Sequence, residues 1–136
     1  MATSKTAREF ILDLEKAFQD EVERPVLLIA KKLAMEALRR VVLKSPVDTG
    51  QFRGNWNVAH GSKDLSVKLG HFDKVGGDTI ARGIKVIQAQ TKPGIVWVSN
   101  NLEYAEALEN GHSKQAPAGM VGVTYAELST IVELKP

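Results

Sequence analysis

Glu103, Glu106 and Glu109 stand three residues apart, and His112 follows at the same interval. On a helix the glutamates would share one stripe, where a carboxylate pair of unlike acidity can act as general acid and base. Nothing desolvating stands beside them in sequence to split their pKa values, so a solvated or subunit-facing stripe accounts for them better. His60, His71 and His112 are widely separated, and none pairs with a second ligand at a metal-site spacing. Cysteine is absent, which removes disulfides, thiolate catalysis and Cys-based zinc sites. No serine or threonine occupies a Gly-x-Ser-x-Gly elbow. The stretch "GHFDKVGGDTIARG" places glycines before a helix but lacks the Gly-Lys-Ser/Thr ending that meets phosphate. No catalytic residue, cofactor site or metal site is expected, and the chain does not read as an enzyme.

The polar residues that remain shape backbone. In "SPVDTGQFRGNW", Pro46 stops a helix, Asp48 or Thr49 caps a short turn and Gly50 permits tight geometry. Phe52 and Trp56 fall four apart as anchors. In "NNLEYAEALENGHSKQAPAGMV", Asn100 and Asn101 end a strand through side-chain-to-backbone bonds. Tyr104 and Leu108 face the core and leave the glutamates outward, Asn110-Gly111 is a left-handed helix terminator, and Pro117 presets the start of a last helix.

The elements that must hold these stretches follow from periodicity. Residues 4–44 are helical: Phe10, Leu14, Phe18 and Val22 recur at four-residue steps, and Ile29, Leu33, Ala37 and Val41 continue nearly the same face. Pro25 predicts a kink or a fresh helix start. Trp56 and Val58, then Leu65, Val67 and Leu69, alternate with polar or small residues around "HGSKD", which predicts an antiparallel hairpin. Asp78 caps a helix carrying Ile80, Ile84 and Ile87. "IVWVS" is apolar on both faces and is expected to be covered on both. A short helix spans 103–109. A last one spans 118–134, with Val121, Tyr125, Leu128 and Val132 on its apolar face and Gly119 and Gly122 thinning a neighbouring side. The fold class is α+β: a long kinked N-terminal helix or helix pair, a small antiparallel sheet, and helices packed on it.

At 136 residues, 43% hydrophobic and 25% charged, the chain suits one domain with a real core, residues 1–45 helical and 46–136 an α+β body. No apolar run reaches the roughly 20 residues of a membrane span, and the N-terminus lacks a secretory core, so neither membrane nor export is expected. Net charge is only +2. Residues 1–25 carry four basic and six acidic groups, residues 26–45 five and one, and residues from 101 onward two and five. Opposite signs on the helical region and the tail would favour head-to-tail contacts between copies. The basic run at residues 31–44 contains no aromatic, so nucleic-acid binding stands as the alternative reading, in a different class.

Together the two quoted blocks resemble the tail-completion, or neck, proteins of long-tailed phages. The resemblance covers most of residues 40–125. It does not extend through 61–92, and Glu103 stands where such proteins often have proline. It implies a structural virion protein that completes the tail and helps join it to the DNA-filled head, with a head-closure or tail-terminator component as the alternative. It implies no catalytic residues. The matching positions are Pro46, Asp48, Thr49, Gly50, Arg53, Trp56, Asn100, Asn101, Tyr104, Ala105, Glu109, Gly111, Ser113, Gln115, Pro117 and Gly119, as fold or assembly determinants. The partners it implies are copies of the chain, in a hexameric ring once assembled, and other neck and tail proteins. Proximity to DNA would be non-specific. Assembly would take place in the bacterial cytoplasm and the final location would be the virion.

Overall fold

The computed structural model describes residues 6–132. In chain order the elements are α1 (Ala7–Phe18), a π-helical turn (Gln19–Glu23), α2 (Arg24–Lys44), α3 (Gln51–Gly54), β1 (Trp56–His60), α4 (Gly77–Gln88), β2 (Val96–Asn100), α5 (Ala105–Glu109) and α6 (Val121–Val132). The fold is α+β, with a long helical N-terminal region, a two-stranded antiparallel sheet and further helices packed on it. Residue 4 and the expected end of the last helix at 134 lie outside the described residues.

Helix α1 starts at Ala7 because Thr6 and Glu9 form a capping box, each side chain accepting the other's backbone N–H. Pro25 neither breaks the rod nor starts a separate helix. The N–H of Arg24 reaches back five residues to the Gln19 carbonyl, and this wider turn absorbs the donor and the space that proline removes. Helices α1 and α2 therefore run on as one rod.

The expected hairpin is not formed. β1 pairs with β2, in the register Trp56 opposite Asn100 through His60 opposite Val96. The 65–69 segment lies beside β1 but is tied to it by side chains. Asn55 Oδ1 accepts the Lys68 N–H at 2.7 Å, and Asn57 Nδ2 donates to the Ser66 carbonyl at 2.8 Å. Asparagine amides have taken the place of a backbone ladder. Leu65 and Leu69 consequently stand 71% and 77% exposed. Strand β2 is likewise not covered on both faces, since Trp97 is exposed and only Ser99 is buried. A two-stranded sheet leaves it an edge.

Two helix expectations also change. The start of α4 is bonded by Asp73 rather than Asp78: Oδ1 accepts the Gly76 N–H, and Oδ2 accepts both Thr79 N–H and Thr79 Oγ1–H. Helix α6 begins at Val121, and of its expected apolar face Val121, Tyr125 and Val132 point outward, Tyr125 being 74% exposed, while Leu128 is half-buried. The side that meets α2 carries Thr124 and Glu127 instead. Glu127 joins Arg40 at 2.9 Å and Lys44 at 2.7 Å.

The core lies where the second half of α2, the inner face of α4 and the sheet converge. Leu38, Val42 and Ile87 are fully buried there, with Met120 beneath the start of α6. Gly83 lets α4 come close, because a Cβ at that position would overlap the side chains of Leu38 and Val58. By contrast α1 buries nothing: Phe10, Ile11, Leu14 and Phe18 are each more than half exposed. Leu38→Ala should therefore lower unfolding free energy by about 2–5 kcal/mol. Leu14→Ala should leave it within about 0.5 kcal/mol of the parent in dilute solution, both read by urea denaturation.

Candidate assembly joint

The joint is built from the end of α2 outward. Helix α2 stops at Lys44, and the Ser45 hydroxyl turns back to donate to the Val41 carbonyl at 2.6 Å. The same oxygen accepts the Trp56 indole N–H at 2.7 Å. Arg53 reaches three carbonyls, those of Leu43, Ser45 and Lys74. A guanidinium is the side chain with enough donors to serve them all. Pro46 is buried directly after the helix end, and Asp48 and Thr49 are exposed. The N-cap position of α3 is Gly50, and Thr49 Oγ1 accepts the Gln51 N–H at 3.2 Å just ahead of it. Gly50 sits at φ +92°, and a Cβ there would come within 2.7 Å of the Lys74 nitrogen. Glycine is required at this position for both conformation and space.

The second block meets the first at several points. Asn100 donates to the Phe52 carbonyl at 2.8 Å, and Asn101 donates to the Asp64 carbonyl at 2.8 Å. The Gln115 amide pairs with the backbone of Val47 in both directions, at 2.9 Å each. Phe52 packs edge-on to Trp56 and tilted against Tyr104. Tyr104 remains 42% exposed and so is not the core residue expected, while Leu108 is partly buried against the core. Pro46, Thr49, Phe52, Tyr104, His112 and Gln115 line an open groove of about 580 Å³ between the blocks.

Glu109 is not part of an outward stripe. Its Oε1 accepts the N–H groups of Met120 and Val121 at 2.9 and 2.8 Å, and its Oε2 accepts Gly122 N–H at 2.9 Å. Helix α6 is thus capped by a carboxylate from a different helix, matched to the positive end of its dipole. Burial opposes ionisation of Glu109, but the three N–H donors outweigh it and hold the carboxyl below its ordinary value. Two glycines make the approach feasible. Gly111 (φ +87°) ends α5 while His112 N–H bonds the Ala107 carbonyl and Gly111 N–H bonds that of Leu108, a Schellman arrangement. A Cβ on Gly111 would overlap the Pro117 carbonyl, and one on Gly119 (φ +80°) the Glu109 carbonyl. Pro117 itself is exposed and precedes α6 by four residues, so it turns the chain without opening the helix.

Sequence reasoning missed Ser45, Asn55, Asn57 and Asp73, all buried polar residues. The asparagines carried a signal, since asparagine is depleted in strands and two of them flank Trp56 at the start of β1. His60 and His112 are exposed, and His71 lies 3.2 Å from Arg82. Among the described residues no three His, Asp or Glu side chains cluster as a metal site would require.

The basic run at 31–44 is largely occupied within the chain. Lys31 donates to the Gln88 carbonyl, Arg39 and Arg40 bind Glu36, and Arg40 and Lys44 bind Glu127. The expected attraction between this region of one copy and the tail of the next is thus already satisfied, in part, inside one chain.

Side chains of both blocks thus clamp the backbone of other segments around one open groove. A family model described as "Bacteriophage HK97-gp10, putative tail-component" matches residues 8–111, and the chain belongs to that family. Membership makes it a phage tail structural component and places it in the virion. Comparison with curated proteins and with solved structures gave no match. Among the described residues no helix is long and apolar enough to cross a membrane.

The Glu109 cap has a pH signature. Its depressed folded pKa contributes stability that is fully present above the ordinary glutamate pKa of about 4.3 and is lost as pH falls through the folded value. Glu109→Gln should cost about 1–3 kcal/mol at pH 7 and make the acid limb of a stability–pH curve shallower. Thermal melts from pH 7 to pH 3 would show it. An acid limb as steep as the parent's would mean the carboxylate is not the cap that matters.

Proposed function

We propose that this tail component acts at the phage neck, where it completes the tail and helps join it to the DNA-filled head. It does so as copies arranged in a ring, hexameric in the assembled particle, in contact with other neck and tail proteins. No bond-making step is involved. One observation carries this reading: the polar side chains of the two sequence blocks are engaged with backbone of other segments. Glu109, Asn100, Gln115 and Arg53 all act this way, and Trp56 fixes the Ser45 hydroxyl that answers the Val41 carbonyl. Residues used as clamps fix one geometry, which a ring needs in order to close. Pro46, Asp48, Thr49, Gly50, Asn101, Tyr104, Gly111, Pro117 and Gly119 complete the set, with the exposed Asp48, Thr49 and Tyr104 at the groove as the positions open to a neighbour.

A phage carrying a stop codon in this gene tests the role by electron microscopy of the lysate. The expected outcome is DNA-filled heads and tails of normal length, unattached, with joined particles restored when purified protein is added. Tails of uncontrolled length would instead assign a terminator role, and heads that leak DNA a closure role.

A further inference from the structure

Among the exposed apolar surfaces of the described residues, two carry opposite net charge. The first is α1. Phe10, Ile11, Leu14 and Phe18 fall on one side of the helix, each 53–57% exposed, and no α1 residue is buried. Among the described residues none buries the apolar side of this amphipathic helix, which leaves that side available to a partner. Helix α1 itself carries two basic and three acidic residues, and the π-turn adds Asp20, Glu21 and Glu23, of which Asp20 is paired with Arg24. The π-turn keeps α1 continuous with α2, which carries it away from the core formed by the second half of α2.

The second surface is the 61–75 segment. Leu65, Leu69, Phe72 and Val75 are 56–78% exposed, far more than isolated surface residues explain. Lys63, Lys68 and Lys74 lie among them, facing two aspartates in the same stretch. Of those, Asp73 is buried and bonded to the start of α4. The outward charge is therefore predominantly positive. The segment is also held in place, by Asn55, Asn57 and Asn101.

We propose that α1 of one copy docks on the 61–75 segment of the next, acidic apolar helix against basic apolar strip. The contact is heterologous, since each copy offers its arm to one neighbour and its strip to another. Pairing of two arms would set like net charge against like and is disfavoured. The inference rests on the reading of the protein as a self-assembling ring, and gives that ring its contact.

The absence of native cysteine makes the test clean. Leu14→Cys and Leu69→Cys are prepared as separate full-length proteins distinguished by mass, then mixed and mildly oxidised. The same pair is co-expressed in infected cells and particles are analysed. The proposal expects a disulfide-linked mixed dimer as the dominant product, reduced at least five-fold when Glu15→Lys and Asp13→Lys are added to the arm. Leu14→Asp should abolish it while leaving the melting temperature of the dilute protein unchanged, which separates lost docking from lost folding. Predominant Leu14–Leu14 linkage would overturn the proposal in favour of paired arms. No mixed dimer in either setting would overturn it outright. Neither result touches the neck assignment, which is read from unattached heads and tails.

Discussion

The end of α2 is a demanding place to stop a helix. Leu38, Val41 and Val42 are buried on its last two turns, so the closing carbonyls sit against the core where water cannot answer them all. A buried carbonyl without a donor costs about 1–3 kcal/mol. The chain supplies the donors from just ahead: Ser45 turns back on Val41, Arg53 takes Leu43 and Ser45, and Trp56 fixes the Ser45 hydroxyl. The helix is consequently finished only when α3 and the start of β1 are in place. β1 in turn needs β2, whose last residue donates back to Phe52. Each step closes on the one before, and the terminus of one helix dictates where the sheet lies.

The same dependence explains what the sequence made legible. Helix boundaries set by local chemistry were readable: Gly111 as a terminator, Ile80, Ile84 and Ile87 as one face, Ser45-Pro46 as a stop. Strand pairing was not. The 65–69 alternation is a genuine period of two, but periodicity does not say which partner a segment has or whether its apolar side turns inward. Asn55 and Asn57 decided that by replacing ladder bonds with side-chain bonds. The glutamate spacing misled in the opposite way. Three carboxylates at equal intervals looked like one stripe, yet Glu109 differs from Glu103 because a glycine-rich turn brings the N-terminus of α6 to it. That meeting involves residues more than ten apart in sequence, and no local pattern announces it.

Charge blocks proved similarly ambiguous. The excess of basic residues at 26–45 and of acidic ones after 101 is real, but part of it is neutralised where α2 and α6 touch through Arg40, Lys44 and Glu127. A nucleic-acid phosphate would have to displace carboxylates from those groups. Net charge along a sequence measures what must be balanced. It does not say whether the balance is struck within the chain or between chains.

The π-turn at residues 19–23 has a geometric effect beyond tolerating Pro25. Each residue of an α-helix advances the side-chain direction by about 100°, whereas a single wide turn inserts a residue without the usual advance. The turn therefore sets the azimuth of Phe10 and Leu14 relative to the buried stripe of α2. Over 38 residues, ~57 Å at the ordinary rise, that angle decides which way the apolar side of α1 faces. Shortening the rod by one residue would leave both ends well folded and aim them in different directions.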